Sequence, residues 1–206
     1  VRAQKNQEEL TRAKRISTIF HLRLQSFKPF WLHIEIKSTS TLAHLDHFLR
    51  EIWLEEECGH LSKFNIDGVN YVAPDVHDSW KGMDMRSKPY TPQLREVLKV
   101  KDKFEYEYDF GSTTYIEGEV LEEREGILEE GVRILARNKI PKEECSECEN
   151  EAVMYCTECQ DLYCAQCLTE HPCGNEMALP VVNSPRMGVC GYTGEDDRDD
   201  FDNQLK

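Results

Sequence analysis

The 206-residue sequence predicts an α+β fold, a mostly antiparallel sheet with packed helices, followed by a small C-terminal cross-braced module. Three observations carry this. Segments with strict two-residue alternation come in pairs joined by turn residues. One long segment between them repeats its apolar residues at helical spacing. Eight of the nine cysteines fall in the last third, six of them as CxxC pairs.

The first pair is FHLRLQSF and WLHIEIKS, separated by Lys28-Pro29. In the second segment Leu32, Ile34 and Ile36 share one face and His33, Glu35 and Lys37 the other, the signature of a half-buried strand. STSTLAHLDHFLREIWLEE follows. Its Ser and Thr residues offer an N-cap, and Leu42, Leu45, Phe48, Leu49, Ile52 and Trp53 recur at helical spacing. Phe64-Asn65-Ile66 and Val69-Asn70-Tyr71 flank Asp67-Gly68, which predicts a hairpin because a type I′ turn needs positive φ at both centres. Residues 74–92 show no period and contain three prolines, so they read as a long loop. LREVL is a short helix. In KFEYEYDFGSTTYIEGEVLEE, Phe104, Tyr106, Tyr108 and Phe110 line one face and Glu105, Glu107 and Asp109 the other, with the turn at Gly111-Ser112. The aromatic stripe reads as core, since a base-stacking platform needs basic neighbours and these are acidic.

The cysteine segment reads C-x2-C-x7-C-x2-C-x4-C-x2-C-x3-H-x-C. A CxxC turn aims two thiolates at one ion, and a structural zinc site closes on four such donors. Cys145, Cys148, Cys156, Cys159, Cys164, Cys167, His171 and Cys173 supply two complete sets, so two structural Zn²⁺ ions are expected. The four-residue gap after Cys159 is too short for consecutive pairs to close on one ion, which favours a cross-brace. Cys145 and Cys148 then join Cys164 and Cys167, while Cys156 and Cys159 join His171 and Cys173. Cys190 stands as an alternative to His171 or Cys173, because Cys173 and Cys190 both precede a glycine that permits the turn around sulfur. Few apolar residues lie between the pairs, so metal has to replace a core. Disulfide scaffolds spread their cysteines through the fold they staple, and a redox CxxC needs a strand-to-helix setting; neither pattern is present.

Two resemblances follow from these residues. The cluster, most closely YCAQCLTEH from Tyr163 to His171, resembles a B-box zinc finger, which implies protein interaction rather than catalysis. A B-box ends in two spaced histidines, whereas this segment ends H-x-C. Residues 19–124 resemble the plasmid pRiA4b ORF-3-like family, also described as a passenger of a mobile element. The resemblance rests on KPFWLHIEI, TLAHLDHFLREIW, GHLSKFNIDGVNY and KFEYEYDFGSTT. Many relatives carry HLHxF and DFGDxWxH. Here Ser62 replaces the second His of the former, and Ser112, Thr114 and Ile116 replace the Asp, Trp and His of the latter. The family implies an α+β domain without a defined biochemical role.

The expected organisation is a polar helical segment over 1–18, the α+β domain over 19–138, the two-zinc module over 139–194 and an acidic tail over 195–206. Charge is uneven: residues 141–206 hold four basic and fifteen acidic residues, a net of −11 out of −14 for the chain. An acidic module is a poor match for a phosphate backbone, so nucleic acid is not the expected partner and another protein is. No apolar run is long enough for a membrane span and none looks like a signal peptide, so a reducing, cytoplasmic setting is expected. The leading reading is a non-enzymatic zinc-binding adaptor. One alternative is a nucleic-acid-associated regulator linked to a mobile element. The other is a hydrolase that brings His60 and Asp109 together under the 74–92 loop. Against it, Asp109 can simply cap the turn at Gly111, and Cys58 reads as a small buried apolar residue.

Overall fold

The computed structural model describes residues 16–55, 58–74 and 87–194. The first hairpin is β1 (Ile16–Gln25) and β2 (Trp31–Lys37), followed by helix α1 (Leu42–Trp53). Strands β3 (Ser62–Ile66) and β4 (Val69–Val72) form the Asp67-Gly68 hairpin, with both turn residues at positive φ (50° and 73°). After β5 (Lys88–Pro89) and the short helix α2 (Leu94–Val97) come β6 (Lys103–Tyr108), β7 (Thr114–Ile127) and β8 (Val132–Arg137). These make one eight-stranded sheet in the order β5-β4-β3-β6-β7-β1-β2-β8, antiparallel except at β4-β5.

The expected antiparallel α+β architecture is the observed one, with two refinements. The expected 74–92 loop contains β5, which pairs with β4 in parallel through Tyr71 and Val72; two residues ending in proline carry no readable alternation. Residues 75–86, expected as a lid, lie outside the described residues. GVRILARNKIP, expected only to close the domain, supplies the edge strand β8 on β2. The expected N-terminal helical segment falls outside the described residues as far as residue 15, and β1 already begins at Ile16. The acidic tail also falls outside them.

Helix α1 starts where Thr41 caps it, its Oγ1 accepting from the His44 N–H at 3.3 Å. All six apolar residues named from the periodicity are buried against the sheet. Phe64, Phe104 and Tyr106 pack under them. Phe104 lies so close over Gly118 that a Cβ there would sit 2.1 Å from its ring. Strands β7 and β8 each carry an irregularity, opposite His21/Leu22 and His33/Ile34 respectively. Such bulges bend a strand and increase its twist.

The C-terminal region has a small three-stranded sheet, β10-β9-β11, built from β9 (Met154–Cys156), β10 (Asp161–Tyr163) and β11 (Ala178–Pro180), with helix α3 (Ala165–Glu170) beside it. Its cluster of buried residues is mostly cysteine, with Tyr163 and Leu168. A strap over 181–194 then returns to the large sheet. Among the described residues, no helix is long and apolar enough to cross a membrane.

Candidate metal centre

The eight donors predicted from spacing fall into two groups. Cys145, Cys148, Cys164 and Cys167 bring their sulfurs within 4.8 Å of one another; the donor atoms of Cys156, Cys159, His171 and Cys173 do the same. The partition interleaves along the chain, first pair with third, second pair with the His-Cys end. Cys190 belongs to neither group and sits instead beside Asp109.

In the first group Cys148 Sγ lies 3.8 Å from Cys164 Sγ and 3.6 Å from Cys167 Sγ. The Cys145–Cys148 turn closes through Cys148 N–H to Cys145 C=O at 3.3 Å. Cys164 caps α3, accepting the Cys167 N–H at 3.4 Å. In the second group His171 Nε2 is 3.4 Å from both Cys156 Sγ and Cys159 Sγ. Gln160, just past the Cys156–Cys159 pair, takes φ 60° and hands its N–H to Cys156 C=O, a tight turn that points both thiols the same way. Tyr163 covers the His171 ring at a centroid distance of 4.2 Å.

The electrostatics match a thiolate-rich centre. Backbone N–H donation at Cys167 lowers the Cys164 thiol to about 6, and that at Cys159 lowers Cys156 to about 6. Cys173 moves the other way, to about 11, through burial and then through the neighbouring Cys156 sulfur. Cys167 is pushed up by its hydrogen bonds to Cys148 and Cys164. Without a cation, deprotonating one sulfur of a group therefore opposes deprotonating the next. A divalent ion removes that conflict, and thiolate and imidazole donors suit a borderline metal such as zinc.

A second constellation surrounds His60. Its Nε2 is 3.4 Å from Glu55 Oε2 and its Nδ1 3.6 Å from Asp109 Oδ1. The structure thus brings together the two residues of the hydrolase alternative. It also shows what holds Asp109 and the neighbouring Glu55: the guanidinium of Arg186, a fully buried residue, from the strap. Arg186 Nη2 donates to Asp109 Oδ2 at 2.5 Å and to Glu55 Oε2 at 3.3 Å, and Nη1 to Ser112 C=O at 2.6 Å and Thr114 Oγ1 at 3.4 Å. The guanidinium carbon lies 5.2 Å from the Tyr108 ring centroid. Burial would raise the Asp109 carboxyl; hydrogen bonds from Arg186 and then from the Gly111 N–H bring it down to about 2.

Three readings of single residues change. Asp109 does cap its turn, its Oδ1 accepting from Gly111 N–H at 3.0 Å, but it does not share the exposed face of Glu105: at φ 59° it leaves the strand pattern and is buried. Phe110, displaced by the same kink, is only half-buried. Cys58 is exposed rather than buried, because the chain past Leu54 has left the helix. Glu55 and Arg186 were not singled out in the sequence. Glu55 lies in an acidic run that reads as solvated, and Arg186 lies in a segment with no period, although it is one of only four basic residues beyond 140.

Residues 17–155 match the family described as plasmid pRiA4b ORF-3-like protein. The chain belongs to that family. The match runs past the large sheet and through the first CxxC pair, Cys145 and Cys148. No curated protein matches the chain. A crystal structure of a protein of unknown function from Methanosarcina mazei Go1 is similar at 17% identity, covering 58% of this chain and 68% of that one, with a TM-score of 0.48.

Proposed function

We propose that this pRiA4b ORF-3-like protein is a non-enzymatic, zinc-binding interaction or adaptor protein whose C-terminal module is held by two structural Zn²⁺ ions. The observation that carries the zinc assignment is the pair of closed four-donor groups: four donors fill a tetrahedral ion, whereas catalytic zinc keeps a position open for water. In this reading Cys145, Cys148, Cys164 and Cys167 hold one ion, and Cys156, Cys159, His171 and Cys173 the other. The excess of acidic residues beyond 140 suits a protein partner with basic character rather than nucleic acid.

The test is zinc content together with partner capture. Purified full-length chain and its Cys164→Ser and Cys156→Ser variants are assayed for metal per chain, and each variant is expected to hold one equivalent less. Proteins cross-linked to the full chain in its own cell extract are expected to be lost with Cys164→Ser. Unchanged zinc content in both variants would overturn the metal assignment. Turnover of ester or phosphoester substrates that His60→Ala abolishes would overturn the non-enzymatic reading.

A further inference from the structure

We infer that His60, Asp109 and Cys190 form a third metal site, distinct from the cysteine module, which takes one borderline divalent cation of the zinc class. The donor atoms of these three residues lie within 4.8 Å of one another. His60 Nδ1 is 3.6 Å from Asp109 Oδ1, and Cys190 Sγ is 3.6 Å from Asp109 Oδ2. Those two distances reach different Asp109 oxygens; ligands of a tetrahedral zinc ion, bound at roughly 2.0–2.3 Å, stand about 3.3–3.8 Å apart, so the set closes by drawing its widest pair in from at most 4.8 Å.

The surroundings are those of a metal-bound histidine. With Nδ1 toward Asp109, Nε2 faces the Glu55 carboxylate at 3.4 Å. A ligating histidine ordinarily gives its second N–H to a carboxylate or carbonyl, which fixes the ring and its tautomer. The Tyr108 ring packs edge to face on His60 at 5.7 Å and fixes its plane further. Cys190 arrives on a turn of its own, at φ 50° between Gly188 and Gly191, both also at positive φ.

Charge argues the same way. Glu55 and Asp109 are two carboxylates facing one fixed cation, Arg186, and a divalent ion balances the excess. Arg186 then serves as a positioning residue that holds both carboxylates from behind. Three protein donors leave one tetrahedral position, and the site lies at the surface, since Cys190 is exposed and His60 half-buried. That open position separates it in kind from the two closed groups of the module.

The experiment uses the full chain equilibrated with zinc and then freed of loosely held metal. His60→Ala and Cys190→Ser are each expected to carry one zinc equivalent per chain less than the unmodified protein, with the module's content unchanged; equal content in all three overturns the site. Should the variants fail to fold, the unmodified chain decides. Starting from protein whose module cysteines already resist alkylation, added zinc is expected to slow iodoacetamide labelling of Cys190 at least tenfold, read by peptide mass. Labelling of Cys190 that zinc in excess leaves unchanged means that His60 is held by carboxylates alone, and overturns the proposal.

Discussion

Arg186 shows how much one side chain can hold. It is fully buried and joins the strap to Glu55, Asp109, Ser112 and Thr114. Removing one partner of a buried ion pair leaves an uncompensated charge, so Arg186→Met is expected to cost about 3–5 kcal/mol, read as a lowered denaturation midpoint at pH 7. Arg186→Lys should recover only part of this, because one ammonium cannot reach both carboxylates and the Ser112 carbonyl together. Glu35, on the other face of the sheet, tests the electrostatics through pH. Burial tends to raise its carboxyl, but hydrogen bonds from Arg133 and then Arg124 leave it below its ordinary value. A depressed carboxylate contributes stability that is fully present above its unfolded pKa and disappears as pH falls through its folded one. Glu35→Gln should therefore destabilise by about 1–2 kcal/mol at pH 7, a figure reduced for screening around the half-exposed arginines. The difference from the unmodified chain should vanish below the folded pKa, which urea titrations over that range would show.

Elements become fixed where patterns and contacts agree. Helix α1 was readable to the residue at its apolar face, because burial selects the same 3.6-residue period that the sequence displays, while its cap was legible only as one of the preceding Ser and Thr residues. The β6–β7 pair depends on a contact that alternation does not reveal. Gly118 is buried opposite Phe104, whose ring fills the space of a side chain. Gly118→Ala should cost about 1–3 kcal/mol by overpacking, and trimming the ring in Gly118→Ala/Phe104→Leu should restore part of it, a non-additivity that thermal melts of the four proteins would resolve. The edge elements were the least readable. β5 is two residues long, and β8 is recognised as a strand only through its pairing with β2.

At the scale of the molecule, the chain passes from the large sheet into the cysteine module and comes back. The strap is tied to the sheet by Asn183, whose side chain donates to Asn138 C=O at 3.0 Å and accepts from Asn138 Nδ2 at 2.6 Å, and by Arg137, which donates to the Asn183 carbonyl at 2.8 Å. If the module depends on metal for its fold, a chelator should expose residues 141–180 to protease while the apolar core beneath α1 still protects the large sheet. Fragment masses after brief digestion with and without chelator would show this, and equal cleavage across the chain would contradict it.

The amino-acid sequence by itself determined the alternating strands, α1, the Asp-Gly hairpin and the two interleaved donor groups. Each of these is a local pattern: a period, a turn dipeptide or a fixed ligand spacing whose geometry needs no distant residue. Only the tertiary structure decided where Cys190 lies, that Asp109 turns inward, and that Glu55, His60 and Arg186 meet. Arg186 is 131 residues from Glu55 and 77 from Asp109 along the chain. A contact at that separation leaves no periodic trace in sequence; it exists because the strap returns across the sheet and buries a charge that those two carboxylates balance.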